Sequence, residues 1–202
     1  GLTQGFKEHQ MMRDWNDADT MFPAVSKWLD THQKDRFFLF LHTFEVHDPH
    51  PPRLPHLHTF DPGYQGTLTS VEISQIARHH LKRLEFSPAE LTHMVALYDS
   101  NVAYLDAYLG DFFDQLKNLG LDQHTLVIVV SDHGEEFGEH GAWGFHGYSL
   151  YDELIRVPLL IKVPKNFLKP STKPLARTVE SPVGLVDLLP TILELVGLSK
   201  TV

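Results

Sequence analysis

An apolar run, TLVIVVS over residues 125–131, leads directly into Asp132-His133-Gly134. A carboxylate oxygen beside an imidazole nitrogen at the end of a strand is a donor pair for a divalent cation. Oxygen suits Ca²⁺ or Mg²⁺, and nitrogen widens the choice to Mn²⁺ or Zn²⁺. In open α/β sheets ligands gather outside the carboxyl ends of strands, where this pair falls. An isolated Ser-Asp-His-Gly could equally be a turn with Asp132 as its cap. This one is followed by Glu135, Glu136, Glu139, His140 and His146, interleaved with glycines at 134, 138, 141, 144 and 147. Two zinc-protease patterns fail: Gly134 breaks H-E-x-x-H after His133, and Phe137 breaks H-x-x-E-H after Glu136. The cluster is therefore not a zincin helix.

A second concentration of histidine spans residues 42–58, with His42, His47, His50, His56 and His58 in a proline-rich stretch. Imidazole titrates near neutrality and is the commonest protein metal ligand, so such clusters invite both acid/base and binding roles. Any single one of these histidines could also be an exposed loop residue.

Both clusters need elements to hold them. Met21, Phe22, Val25, Trp28 and Leu29 recur at helical spacing and predict a helix over 19–33, with Pro23 in its first turn. Phe37 to His42 reads as a buried strand, and 43–68 as a long functional loop. Ser87-Pro88-Ala89-Glu90 is a capping-box start. It opens an amphipathic helix of about 30 residues that ends at Gly120, a C′ glycine. TLVIVVS has the pattern of a central parallel strand. VPLLIKV, 157–163, predicts another strand, and Leu185 to Val196 a closing helix with Pro190 early in it. The order predicts an α/β fold in which residues 1–202 form one domain without a linker.

Composition removes several classes. The 202 residues carry a formal net charge of -9, which argues against a nucleic-acid binder. There is no cysteine, hence no disulfide and no thiolate metal site. No apolar run reaches the roughly 18 residues of a membrane span. The opening GLTQGFKEHQ is neither a signal peptide nor a natural N-terminus in appearance.

Taken together, TLVIVVSDHGEEFGEHG and HGYSLYDELIRVPLLI closely resemble the sulfatase family of the alkaline phosphatase superfamily. Three further blocks agree in order: FFLFLHTFEVHDPHPP, YDSNVAYLDAYLGDFFDQLKNLGL and SPVGLVDLLPTILELVGL. The resemblance runs from about Trp15 to Leu198. It implies an alkaline phosphatase-like α/β fold: a mixed, mostly parallel sheet flanked by helices, incomplete at the N-terminus. It makes Asp132 and His133 ligands of one divalent cation, calcium first, with magnesium or manganese as alternatives. It makes His47 and His146 catalytic and substrate-binding residues, with His50 lining the pocket. The implied activity is hydrolysis of a small-molecule or glycan sulfate ester.

The family's nucleophile is a formylglycine made from Cys or Ser in C/S-x-P-x-R. No such motif occurs here; STKPLAR, 171–177, places Arg177 one residue too far from Pro174. The expectation is therefore a partial catalytic domain, starting after the nucleophile and after the other metal ligands. A phosphate or phosphonate monoester hydrolase, or a phosphoethanolamine-type transferase, would share the Asp-His pair. A different class is an isolated α/β module that is catalytically inert. Self-association is expected if sheet edges are exposed, and export from the cytoplasm is common in the family.

Overall fold

A computed structural model describes residues 4–10, 17–70, 85–144, 146–147, 149–164, 167 and 178–198. The STKPLAR segment lies outside the described residues. The chain divides into two compact units. The first comprises Gly1–Leu119 and Glu135–Phe145; the second comprises Gly120–Gly134 and His146–Val202.

The first unit is helical. Helix α1, Ala18–His32, buries Met21, Phe22, Val25 and Leu29, the stripe anticipated from spacing. Pro23 lies in its second turn rather than its first. A five-residue helix, α2, spans His56–Phe60 inside the 43–68 loop. Helix α3, Pro88–Asn118, is the long amphipathic helix. Its capping box is complete: Ser87 Oγ accepts from the Glu90 N–H at 3.3 Å, and Glu90 Oε2 accepts from the Ser87 N–H at 2.7 Å. Leu119 is its C-cap, and Gly120 follows at φ +70°, a left-handed conformation that costs glycine nothing. Both α1 and α2 pack on α3. Leu57, Leu68, Met94, Ala96 and Leu97 form a core cluster, with Trp143 packed against it.

The second unit holds strands β1, Val127–Val130, and β2, Leu159–Lys162. Between them in sequence lies a one-turn helix, α4, Asp152–Ile155. A short 3₁₀ turn, Leu185–Asp187, then leads into helix α5, Leu188–Leu195.

Three expectations are corrected. A mostly parallel sheet is not what the described residues form: β1 and β2 pair antiparallel, with Val130 opposite Leu159 and Val127 opposite Lys162. The chain leaves β1 and re-enters β2 at the same end, and such a return makes the partner antiparallel. Phe37 to His42 forms no strand among the described residues, and Phe38 and Phe40 are 67% and 58% exposed. The apolar strands are not buried on both faces either: Val130, Leu160 and Ile161 are all exposed. An apolar run specifies a strand that can be covered on both sides, and the covering layer is a separate matter. Among the described residues no helix is long and apolar enough to cross a membrane.

Candidate functional site

In the first unit, the loop carrying His47 and His50 is closed at its base by a buried ion pair. The Glu45 side chain is 0% exposed, and Arg53 Nε and Nη2 donate to its two carboxylate oxygens at 2.6 and 3.0 Å. Glu45 also accepts from the N–H of Ala18, the first residue of α1, at 2.9 Å. A carboxylate suits an unsatisfied helix N-terminus. Burial pushes the Glu45 carboxyl up, and the Ala18 N–H and Arg53 oppose that rise. The Arg53 guanidinium lies 4.5 Å above the Tyr104 ring. Two α3 side chains hold the loop backbone: Ser100 Oγ accepts from the Arg53 N–H at 3.4 Å, and Asn101 Nδ2 donates to the Pro51 carbonyl at 2.9 Å.

Between these anchors, His47 Nδ1 lies 2.8 Å from the Asp48 carbonyl and 2.9 Å from Asp48 Oδ1. Both oxygens accept, so Nδ1 carries the proton, and the ring's capacity to bind a ligand rests on Nε2. His50 is 3% exposed and meets Tyr98 edge to face at 5.4 Å. Burial, with a smaller contribution from His47, pushes its pKa down to about 4. His50 is thus neutral at pH 7. Glu135, buried in the same unit, is pushed up to about 8 by burial first, then by Asp48 and Glu136.

In the second unit, backbone bonds hold the segment after β1. The Ser131 N–H donates to the Pro158 carbonyl at 3.4 Å, and Ser131 Oγ donates to the His133 carbonyl at 2.6 Å. The Gly134 N–H donates to the Leu154 carbonyl at 2.8 Å. A Cβ at Gly134 would run into the Glu153 carbonyl, so glycine is needed there for close approach. His133 Nδ1 lies 2.8 Å from the Gly134 carbonyl, which fixes the proton on Nδ1 and the lone pair on Nε2 of the neutral ring. That Nε2 is 3.8 Å from Asp132 Oδ1. The Asp132 and His133 side chains are 77% and 35% exposed. The His146 ring stacks on His133, centroids 4.1 Å apart and planes 16° from parallel.

In kind, this donor set fits a divalent cation: one carboxylate oxygen and one imidazole nitrogen with its second nitrogen held by a carbonyl. Calcium takes six to eight oxygen-type ligands and magnesium six, so the pair supplies two positions of such a shell. Glu139, within the same motif, accepts from the Phe137 N–H at 2.7 Å and orders the loop.

Sequence reasoning missed the Glu45–Arg53 clamp, and nothing in the sequence signals it. It also missed the burial of Glu135, which is 7% exposed.

These elements have counterparts in known proteins. Residues 5–198 match the sulfatase family. Arylsulfatase K from Bos taurus is 38% identical over 114 residues, 56% of this chain and 19% of its own length. Arylsulfatase K from Xenopus laevis is 28% identical over 211 residues, covering 93% of this chain and 37% of that protein. Among solved structures, the phosphonate monoester hydrolase SpPMH from Silicibacter pomeroyi superposes with a TM-score of 0.65 at 23% identity. The match covers 90% of this chain and 38% of SpPMH. The chain belongs to the sulfatase family, and its fold is of the type shared by sulfatases and phosphonate hydrolases. It spans less than two fifths of the length of each of these relatives.

Proposed function

We propose that this protein hydrolyses sulfate monoesters, with Asp132 and His133 holding a divalent cation and His47 and His146 meeting the ester. Calcium is the first candidate, ahead of magnesium and manganese. The observation that supports the reading most is the tautomer of His133. Its Nδ1–H is committed to the Gly134 carbonyl, so Nε2 is the ligating atom, 3.8 Å from Asp132 Oδ1. The cation would polarise the ester's non-bridging oxygens and neutralise charge developing on them.

The remaining roles fall to the chain's own side chains. His47, with Nδ1–H held by Asp48, offers Nε2 to a non-bridging oxygen. His146 supplies the proton to the leaving oxygen, with its ring plane set by the stack on His133. His50 carries no charge at pH 7 and shapes the pocket behind His47 by packing on Tyr98. None of these residues is assigned the attack itself, and the family's nucleophile motif, C/S-x-P-x-R, does not occur in residues 1–202.

The test is turnover of 4-nitrophenyl sulfate, 4-nitrophenyl phosphate and a phenylphosphonate ester by the full-length protein. The sulfate should turn over fastest, EDTA should abolish the activity, and added Ca²⁺ should restore it. Turnover of the phosphorus esters alone would replace this reading with a phosphate or phosphonate hydrolase. The 202-residue chain should be assayed beside it: activity there that Asp132→Ala and His133→Ala abolish would remove the inert-module reading.

A further inference from the structure

The peptide that joins His133 to Gly134, in the second unit, is held at both of its polar ends. Its carbonyl, on His133, accepts from Ser131 Oγ at 2.6 Å. Its N–H, on Gly134, donates to the Leu154 carbonyl at 2.8 Å. The plane cannot rotate without breaking one of these bonds, so the torsions on either side of it, ψ of His133 and φ of Gly134, are set. Both lie on the covalent path from the imidazole to the Gly134 carbonyl, which takes the ring's Nδ1–H at 2.8 Å. The same turn directs the carboxylate: the His133 N–H donates to Asp132 Oδ1 at 3.1 Å.

The two ends of the peptide are held by different kinds of group. Leu154 lies in α4, a single turn whose carbonyls have no intrahelical partner, and its side chain is buried. That end is a backbone contact, and the Glu153 carbonyl demands glycine at 134. The other end is one side-chain hydroxyl. The Ser131 N–H donates to the Pro158 carbonyl at 3.4 Å, one step beyond the last strand pair, Val130 with Leu159. The backbone of Ser131 thus serves the β1–β2 ladder, and its side chain serves the turn. A serine at a strand end often does no more than close a turn. Here the carbonyl it holds belongs to the residue that carries the imidazole, and the next carbonyl along selects the tautomer.

We propose that Ser131 is a positioning residue for the cation pair. Its hydroxyl, acting through the His133–Gly134 peptide, keeps the imidazole as the Nδ1–H tautomer and leaves Nε2 to the cation beside Asp132. The proposal rests on the reading of Asp132 and His133 as cation ligands.

Long-range ¹H–¹⁵N NMR of the 202-residue chain at pH 8 reads the His133 tautomer without any cation. Mn²⁺ alone, added to the same sample, reads binding through paramagnetic broadening of the His133 ring signals. The unsubstituted chain should show the Nδ1–H tautomer and broadening that saturates. Ser131→Ala should raise the share of the Nε2–H tautomer and weaken Mn²⁺ binding by about tenfold or more, the usual cost of altering a support of a metal ligand. Ser131→Thr, which keeps the hydroxyl, should restore both. A lowered urea midpoint in Ser131→Ala with tautomer and affinity unmoved would overturn the proposal, as would equal losses in the Ala and Thr variants. If Asp132→Ala abolishes Mn²⁺ binding while Ser131→Ala leaves it unchanged, the proposal falls and the cation reading stands. If the unsubstituted chain shows no Mn²⁺ effect at His133, the cation reading falls and takes the proposal with it.

Discussion

The two loops that carry the candidate histidines are built in opposite ways. The loop around His47 and His50 is fastened by side chains: a fully buried Glu45 paired to Arg53, with Ser100 and Asn101 gripping its backbone. The segment after β1 is fastened mainly by backbone hydrogen bonds to Pro158 and Leu154, and its Asp132 carboxylate stands in solvent. Side-chain fastening makes the His47 loop part of the fold's stability. Backbone fastening leaves Asp132 and His133 open to substitution without unfolding. Variants at 132 and 133 therefore report on function, whereas variants at 45 and 53 report first on folding.

The strongest way to break that contrast is Asp132→Ala. Arylsulfate turnover should fall by more than about 100-fold, since altering even the supports of a metal ligand costs 10–100-fold. The unfolding free energy from urea titration should move by less than about 0.5 kcal/mol, as for other exposed sites. A large loss of stability would erase the contrast.

Next is Arg53→Ala. It strands a carboxylate with no exposed surface, and removing one partner of a buried pair costs about 3–5 kcal/mol. Urea unfolding of the chain measures this. The double change Glu45→Leu with Arg53→Met should recover much of the loss, because a packed apolar pair avoids the desolvation cost.

His50 sharpens the comparison through pH. Its folded pKa is about 4, against 6.5 ordinarily. Above pH 6.5 both states are neutral and nothing is at stake. From 6.5 down to about 4 the unfolded chain takes a proton that the folded chain refuses, so stability falls with falling pH. The loss is about 1.4 kcal/mol per unit, roughly 3 kcal/mol in full. His50→Leu should remove that portion of the acid sensitivity in unfolding curves taken at pH 7, 6, 5 and 4. An unchanged slope would mean that His50 is not buried neutral.

The smallest effect belongs to neither loop. Ser87→Ala removes the cap of α3 and should cost about 1 kcal/mol, read by thermal unfolding. A much larger loss would mean that the helix start also supports the His47 loop through Ser100 and Asn101.

Features set by short stretches of chain were legible in the sequence. The capping box at Ser87 and Glu90, the end of α3 before Gly120 and the apolar stripe of α1 each depend on residues within a few turns of one another. The Asp132-His133 pair could be singled out as a candidate for the same reason, since the two are consecutive at the end of an apolar strand. Less legible was where charge would be buried. Glu135 and Glu136 sit among glycines, a pattern typical of solvent-facing loops, yet both are under 10% exposed. Their burial comes from neighbours distant in sequence.

By itself, then, the sequence determined the family and the three longer helices, because capping and periodicity act over one to four residues. The tertiary structure alone decided four things. It made the β1–β2 pairing antiparallel, closed the Glu45–Arg53 clamp, made His50 neutral, and joined Asp61 to His93. Strand direction, ion pairing and desolvation all depend on which distant segments the folded chain brings within a few ångströms, and no local pattern encodes that.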